Sequence, residues 1–455
     1  NSQLQLQLAE QRELAVLQQQ QATQINAGVG LASGQQAGVK TAENGVTVID
    51  IAAPSQRGVS HNRLNSFNVP AAGLILNNSK DPMISILGGW TDGNRRLTAG
   101  SASLILAEVT GSSRSTLLGY TEVLGNSAEF VLANPNGISC NGCGFINTPR
   151  VVLATGIPQL LNGELAGIQI GDGNISIDGA GLNASNISKV DILTRAMQLN
   201  AALYANELNI RTGANYYDYQ TGQLQPGSVV GEGRPAYQFA LDASALGAMY
   251  ANTISLIGTE AGLGVRSEGL LNAVDSLQLT ADGQLQLKDT VAGGNLTLGS
   301  QQAGIITSGT TYGQNVSIEL AGTLHNSGVI AAAENMQVVA SGMQQSGDLI
   351  AGVNLQGEWQ QSATQQLTIS GELVNQGRII SQGQQTLAAT RLQNGAGALL
   401  QGGVANISTQ SLNNQGVINS TSLALDANTA QSAGHIQAQQ LNINAQQFNL
   451  LDGMV

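Results

Sequence analysis

The sequence predicts an all-β fold, a parallel β-helix of short strands wound into stacked coils, and three observations lead there. Only 3% of the 455 residues are aromatic and 10% charged, while 57 are glycine and 42% are hydrophobic. That apolar fraction sets the chain apart from disordered sequences. The polar residues are amides and hydroxyls instead of charges. In a stack where equivalent side chains repeat coil upon coil, like charges would repel. Finally, residues 271–455 carry an internal repeat of about 20 residues, the length of one solenoid turn.

Taken in order, residues 1–44 form a Gln-rich leader or cap segment that lacks glycine until Gly28. Leu4, Leu8 and Ala15 would line a helix face, but Leu4, Leu6 and Leu8 also alternate as in a strand, so both readings stay open. From Gly45 to about Gly156, short β-like runs at 46–51, 74–76, 104–109 and 130–132 are divided by Gly, Asn and Pro. Similar runs follow at 168–170 and 175–177. The aromatic insertion Tyr216-Tyr217-Asp218-Tyr219, followed by QPGSVVGEGRP, reads as a loop leaving the regular stack.

The repeat itself is an aliphatic-x-aliphatic strand at Leu277/Leu279, Leu296/Leu298, Val316/Ile318 and Met336/Val338. It returns at Leu367/Ile369, Leu387/Ala389, Ile407, Leu423/Leu425 and Leu441/Ile443. Between these strands lie runs preceded by Asn-x-Gly or similar, at 325–332, 375–381 and 414–420. The spacing slips once, between Met336 and Leu367, which predicts an inserted loop. One turn cannot bury its apolar face alone, but turns stacked at roughly 4.8 Å share a core and a hydrogen-bond ladder. About 20 of them would make a rod on the order of 100 Å long. Leucine-rich repeats are excluded because the LxxLxLxxN frame is missing.

Charge narrows the partners. The formal net charge is −12, from 29 acidic and 17 basic residues. No basic run offers a phosphate-binding footprint, so nucleic acid is not an expected partner, and an acidic balance suits anionic lipid poorly. No run of 18 or more apolar residues occurs to span a membrane as a helix. The start at Asn1 implies either a fragment of a cytosolic protein or a removed signal peptide. The stop at Val455, inside the repetitive pattern, is read as truncation of a longer protein.

Three stretches carry a resemblance. They are GVSHNRLNSFNVPAAGLILNNS (58–79), GYTEVLGNSAEFVLANPNGISCNGCGFINTPRVVLATG (119–156) and ALDASALGAMYANTISLIGTEAGLGVRSEG (240–269). In that order they resemble the two-partner secretion exoprotein family of filamentous haemagglutinins, secreted haemolysins and contact-dependent inhibition effectors. The resemblance implies a right-handed β-helix with an amino-terminal cap and extra-helical hairpins. It implies a secretion domain over 45–270 and the start of a β-helical rod over 271–455. It further implies export to the periplasm and passage through an outer-membrane β-barrel transporter whose periplasmic domains recognise the secretion domain. The protein would end at the cell surface or outside the cell. The family's secretion motifs fall here on Asn134-Pro135-Asn136-Gly137 and Asn147-Thr148-Pro149-Arg150. One departure is Ala107, where many relatives carry Asn.

The same residues have plainer readings. Asn134-Pro135-Asn136-Gly137 is a tight turn: Asn caps it, Pro presets φ and Gly leaves it. Asn147 and Arg150 could hydrogen-bond that turn and the neighbouring coil. The favoured role is therefore folding of the secretion domain, with direct transporter contact second. Cys140-x-x-Cys143 lies in a β-turn-β context without the helix terminus that activates a redox thiol. Zinc needs four ligands, and His61, His325 and His435 are scattered, so no metal site is expected. A small disulfide formed in the periplasm is the favoured reading.

No cofactor is expected, nor a catalytic site. Asp172 and Asp178, in GDGNISIDG, are the nearest carboxylate candidates for a polysaccharide-active site, and their spacing across a strand suggests they flank two turns. No Gly-x-Ser-x-Gly, HExxH or phosphate loop occurs. Tyr216, Tyr217 and Tyr219 form either a ligand loop for sugar or partner, or a hairpin packed on the flank. The functional expectation is thus a monomeric secretion-and-stalk module that presents a distal adhesive or toxic region. The alternatives are that the segment itself is an adhesin for a glycan or receptor on a host or target cell, or less plausibly a haemolysin or polysaccharide enzyme.

Overall fold

The structure is a computed structural model that describes residues 26–27, 37–226 and 236–451. Most of the Gln-rich leader, and residues 227–235 of the QPGSVVGEGRP run, lie outside the described residues. The chain divides into two units, Asn1–Ala236 and Tyr237–Val455. Among the described residues there are strands and turns but no helix. The fold is the expected right-handed parallel β-helix, capped at its amino end and carrying extra-helical hairpins.

In the first unit the coils build three columns of parallel strands. One runs through Thr47–Asp50, Leu74–Asn78 and Tyr120–Gly125. A second stacks Val59–Ser66, Leu104–Val109, Glu129–Ala133, Arg150–Ala154, Lys189–Thr194 and Glu207–Thr212. The third holds Ser115–Leu117, Ile138–Ile146, Asn174–Asn183 and Ala196–Leu199. The strand Gly38–Thr41 lies antiparallel against Thr47–Asp50 and so covers the edge of the first column. Inside the coils Phe67, Phe130 and Phe145 stack with centroids 5.9 and 6.1 Å apart.

Two sheets lie outside the coils. A small hairpin pairs Met83–Ser85 with Gly89–Thr91. A four-stranded antiparallel sheet joins Gly156–Leu161, Glu164–Ile170, Asn215–Asp218 and Leu224–Pro226. Its Leu165, Ile168 and Ile170 pack on Leu106, Val131, Val152 and Leu193, which face outward from the second column. This second core explains why the strands Leu104–Val109, Glu129–Ala133 and Arg150–Ala154 are nearly continuous apolar runs. A strand buried on both faces has no polar face to alternate with.

In the second unit the expected repeat appears as register. Leu277 pairs with Leu296, then Val316, then Met336. Val338 pairs with Leu367, followed by Leu387, Ile407, Leu425 and Ile443. The slip is an excursion between Asp348–Ala351 and Thr364–Asn375. There Asn354 Oδ1 accepts the N–H groups of Gln356 and Glu358 at 3.0 and 2.8 Å.

The asparagines of the Asn-x-Gly runs point inward. Asn375 Nδ2 donates to Asn394 Oδ1 at 2.9 Å, Asn394 to Asn414 at 2.8 Å, and Asn414 to Ser432 Oγ at 3.0 Å. Each also donates to a backbone carbonyl, that of Leu399, Val417 or His435. Asn326 makes the equivalent bonds to Gln345 Oε1 and the Asp348 carbonyl. Polar groups at the centre of the stack are tolerated because they are satisfied.

Candidate functional site

The Asn134-Pro135-Asn136-Gly137 turn follows the strand Glu129–Ala133 and leads into Ile138–Ile146. Asn134 is fully buried, and its Nδ2 donates to the Ser113 carbonyl at 3.0 Å and to Ser115 Oγ at 2.9 Å. Its Oδ1 accepts the Asn136 N–H at 3.0 Å, and Gly137 N–H closes the turn on the Asn134 carbonyl at 3.1 Å. Asn136 is exposed, yet its Nδ2 reaches the Gly111 carbonyl at 2.8 Å. Gly137 has φ 109°, and a Cβ there would lie 2.6 Å from the Arg114 guanidinium and 2.9 Å from the Asn174 carbonyl oxygen. Only glycine fits both demands. Arg114 in turn donates to the Ile138 carbonyl and to Asn174 Oδ1, both at 2.6 Å.

The second motif meets the expectation in part. Asn147 takes φ 60°, a left-handed conformation that Asn tolerates better than most residues, and its Nδ2 donates to the carbonyls of Val123 and Gly125 at 2.8 and 2.9 Å. It therefore bonds the neighbouring coil and not the Asn134 turn. Arg150 turns outward beneath the flanking sheet. Its Nε donates to Asp191 Oδ2 at 2.7 Å, its Nη2 to the Tyr217 hydroxyl at 3.1 Å, and its guanidinium lies 4.3 Å from the Tyr219 ring centroid.

Register explains this cluster. In the second column Arg150 pairs with Lys189, and two residues further along Val152 pairs with Asp191. Asp191 thus stands on the outward face that the flanking sheet covers, and its side chain is 1% exposed. Burial is the largest influence and by itself would lower the Arg150 pKa, but Asp191, Tyr219 and Tyr217 together outweigh it and hold the guanidinium above its usual range. Burial, followed by the Asp191 charge, pushes Tyr217 up to about 12. Burial also raises Tyr219, whose hydroxyl donates to Glu129.

Tyr217 and Tyr219 are accordingly buried between the flanking sheet and the coils, and only Tyr216 is partly open. The rings of Tyr217 and Tyr219 are not on offer as a stacking surface. Cys140 and Cys143 form a disulfide with Cα atoms 5.5 Å apart, buried at a shift in the register of Ile138–Ile146. Asp172 meets Arg195 at 3.3 Å and Asp178 accepts from Asn200 at 2.8 Å, so each has its own partner. Among the described residues no three His, Cys, Asp or Glu side chains converge as metal ligands. Ala107 is buried beside Asn62, whose amide donates to the Leu106 carbonyl at 3.2 Å.

Sequence reasoning missed two residues. Glu122 of GYTEVLG is buried and accepts Ser85 Oγ at 2.6 Å and the N–H groups of Ile86 and Leu87 at 2.9 Å, tethering the small hairpin. Asp191 was the other. Its signal was a lone carboxylate in the apolar run KVDILT, which demands a buried partner.

The TPS secretion domain family model matches residues 23–287. The chain is 37% identical to a tRNA nuclease CdiA of Escherichia coli over 79% of its own length and 11% of the relative's. It is 39% identical to a 16S rRNA endonuclease CdiA of Enterobacter cloacae, covering 74% of this chain and again 11% of that protein. The chain therefore spans about a tenth of the curated relatives it matches. Among solved structures, it is similar to a filamentous hemagglutinin secretion domain at 29% identity and TM-score 0.53. That match covers 72% of this chain and 100% of the other.

Proposed function

The chain belongs to the TPS secretion domain family, whose members travel through the outer membrane to the cell surface or medium, and from that premise we propose a secretion and stalk module. Residues 45–270 act as the secretion domain recognised by an outer-membrane β-barrel transporter, and 271–455 begin the stalk. The stalk carries a distal toxic or adhesive region belonging to a longer protein, in the manner of a contact-dependent inhibition effector. This stretch supplies no catalytic residues, and the nuclease names belong to the relatives.

One observation carries the reading of the motifs. Asn134, Asn136 and Asn147 each donate to backbone carbonyls of a neighbouring coil, at 2.8 to 3.0 Å. Such bonds staple coil to coil, so the motifs serve secretion through the folding of the domain. Pro135 and Asn136 are its more accessible part. The test is export of the chain, with a signal peptide supplied, from cells with and without a cognate barrel transporter. Accumulation in the medium only with the transporter is expected; equal release or equal retention overturns the reading. Asn134→Ala should lower both stability and export. An Asn136→Ala protein of undiminished stability that is no longer exported would assign the motif to direct transporter contact instead.

A further inference from the structure

We propose that a groove along one corner of the second unit binds an extended, uncharged oligosaccharide. The groove has a volume of about 830 Å³ and is lined by successive coils, through Gln361, Gln384, Gln401, Asn419, Thr421 and Gln439 among others. It forms where the coils shorten. Ser381 pairs with Gly402 and Gln384 with Val404, so two residues turn the corner in one coil and one in the next. The single-residue corner is kept in the following coils, where Ser420 pairs with Ala438 and Ser422 with Gln440. Glycine keeps the wall low: a Cβ on Gly403 would lie 2.7 Å from the carbonyl oxygens of Gln382 and Gly383.

The lining selects the ligand. It contains no Lys, Arg, Asp or Glu, so neither an anion nor a cation finds a counter-charge. A peptide strand would need an unpaired backbone edge, but in the middle of the corner Gly402 lies between Ser381 and Ser420, and Ser420 between Gly402 and Ala438, each paired on both sides. Amides and hydroxyls, each able to donate and accept, match the hydroxyl groups of neutral sugars. Each coil adds a rise of roughly 4.8 Å and brings an amide in register, Gln401, Asn419 and then Gln437, so a polymer of similar repeat meets an amide at every unit. This inference stands apart from the secretion reading, whose motifs at Asn134–Gly137 and Asn147–Arg150 lie in the first unit.

The full chain is titrated calorimetrically with cellohexaose, chitohexaose and isomaltohexaose, with hexagalacturonate as the charged comparison. Saturable binding of at least one neutral hexaose is expected. Thr421→Trp, which fills the groove from an exposed position, should weaken it about tenfold or more. Gln384→Ala with Gln439→Ala should weaken it as well, and supplies the answer if the tryptophan variant misfolds. Gln410→Trp, exposed and outside the groove, should leave it unchanged. No saturable heat with any neutral hexaose, tighter binding of hexagalacturonate, or binding indifferent to the groove substitutions would overturn the proposal.

Discussion

Replacing Arg150 with Met gives a sharp test of how the flanking sheet is held. The change preserves much of the side chain's apolar stem but leaves Asp191, 1% exposed, with the Asn209 Nδ2 donor at 3.0 Å and only the weaker electrostatic pull of Arg211. Removing one partner of a buried ion pair costs about 3–5 kcal/mol, because the other charge stays desolvated. Against a typical net stability of about 5–15 kcal/mol, that is a large fraction. Removing both charges, as Arg150→Met with Asp191→Leu, should cost less than Arg150→Met alone, since no orphan charge remains. Urea unfolding of these two, of Asp191→Leu alone and of the unsubstituted chain, followed by circular dichroism, gives the four free energies. Hydrogen exchange in Glu164–Ile170 and Asn215–Asp218 shows whether the loss is local to the sheet. An Arg150→Met protein within about 1 kcal/mol of the unsubstituted chain, or simple additivity of the two changes, would refute the reasoning.

The same cluster should report on alkali. Tyr217 titrates at about 12 in the folded chain against 10.0 as its ordinary value, so the unfolded chain loses that proton first. The stability tied to Tyr217 is whole below pH 10 and falls as pH rises toward 12. Tyr217→Phe should flatten that part of the unfolding-midpoint profile, and an unchanged profile would contradict it. The Cys140–Cys143 bridge closes a very short loop, so Cys140→Ser with Cys143→Ser should lower stability by about 2 kcal/mol in urea unfolding. Two reactive thiols in the denatured, unreduced protein would deny the bridge. Asn394→Ala removes bonds to Asn375, Asn414 and the Val417 carbonyl, and should cost about 3 kcal/mol in thermal unfolding. A loss below about 1 kcal/mol would mean the inner amides are dispensable.

The repeat was legible because it rests on period alone: Leu387 and Ile407 pair in the structure as their spacing implied. The Asn-x-Gly runs were visible too, although nothing local tells whether an asparagine at a corner faces water or the core. That choice depends on the coil above, as with Asn394 above Asn375. The flanking sheet was least legible. Its strands Glu164–Ile170 and Asn215–Asp218 are separated in sequence by whole coils and meet only in the fold. For the same reason Arg150 could be assigned to the Asn134 turn from proximity in sequence, while its true partners, Asp191 and Tyr217, lie 41 and 67 residues away.

The inner asparagine row also has a direction. From Asn375 through Asn394 and Asn414 to Ser432, every amide hands its N–H toward the carboxyl end, and Asn394 and Asn414 receive from the amino end. The dipoles therefore align head to tail and polarise one another. A half-built stack ends in a bare donor, and the next coil is accepted only if it brings an oxygen to that spot. A coil shifted so that Gly395 took the place of Asn394, or Ala433 that of Ser432, would bring no side-chain oxygen and leave the donor stranded. The row thus works as a register check read in one direction, amino end first.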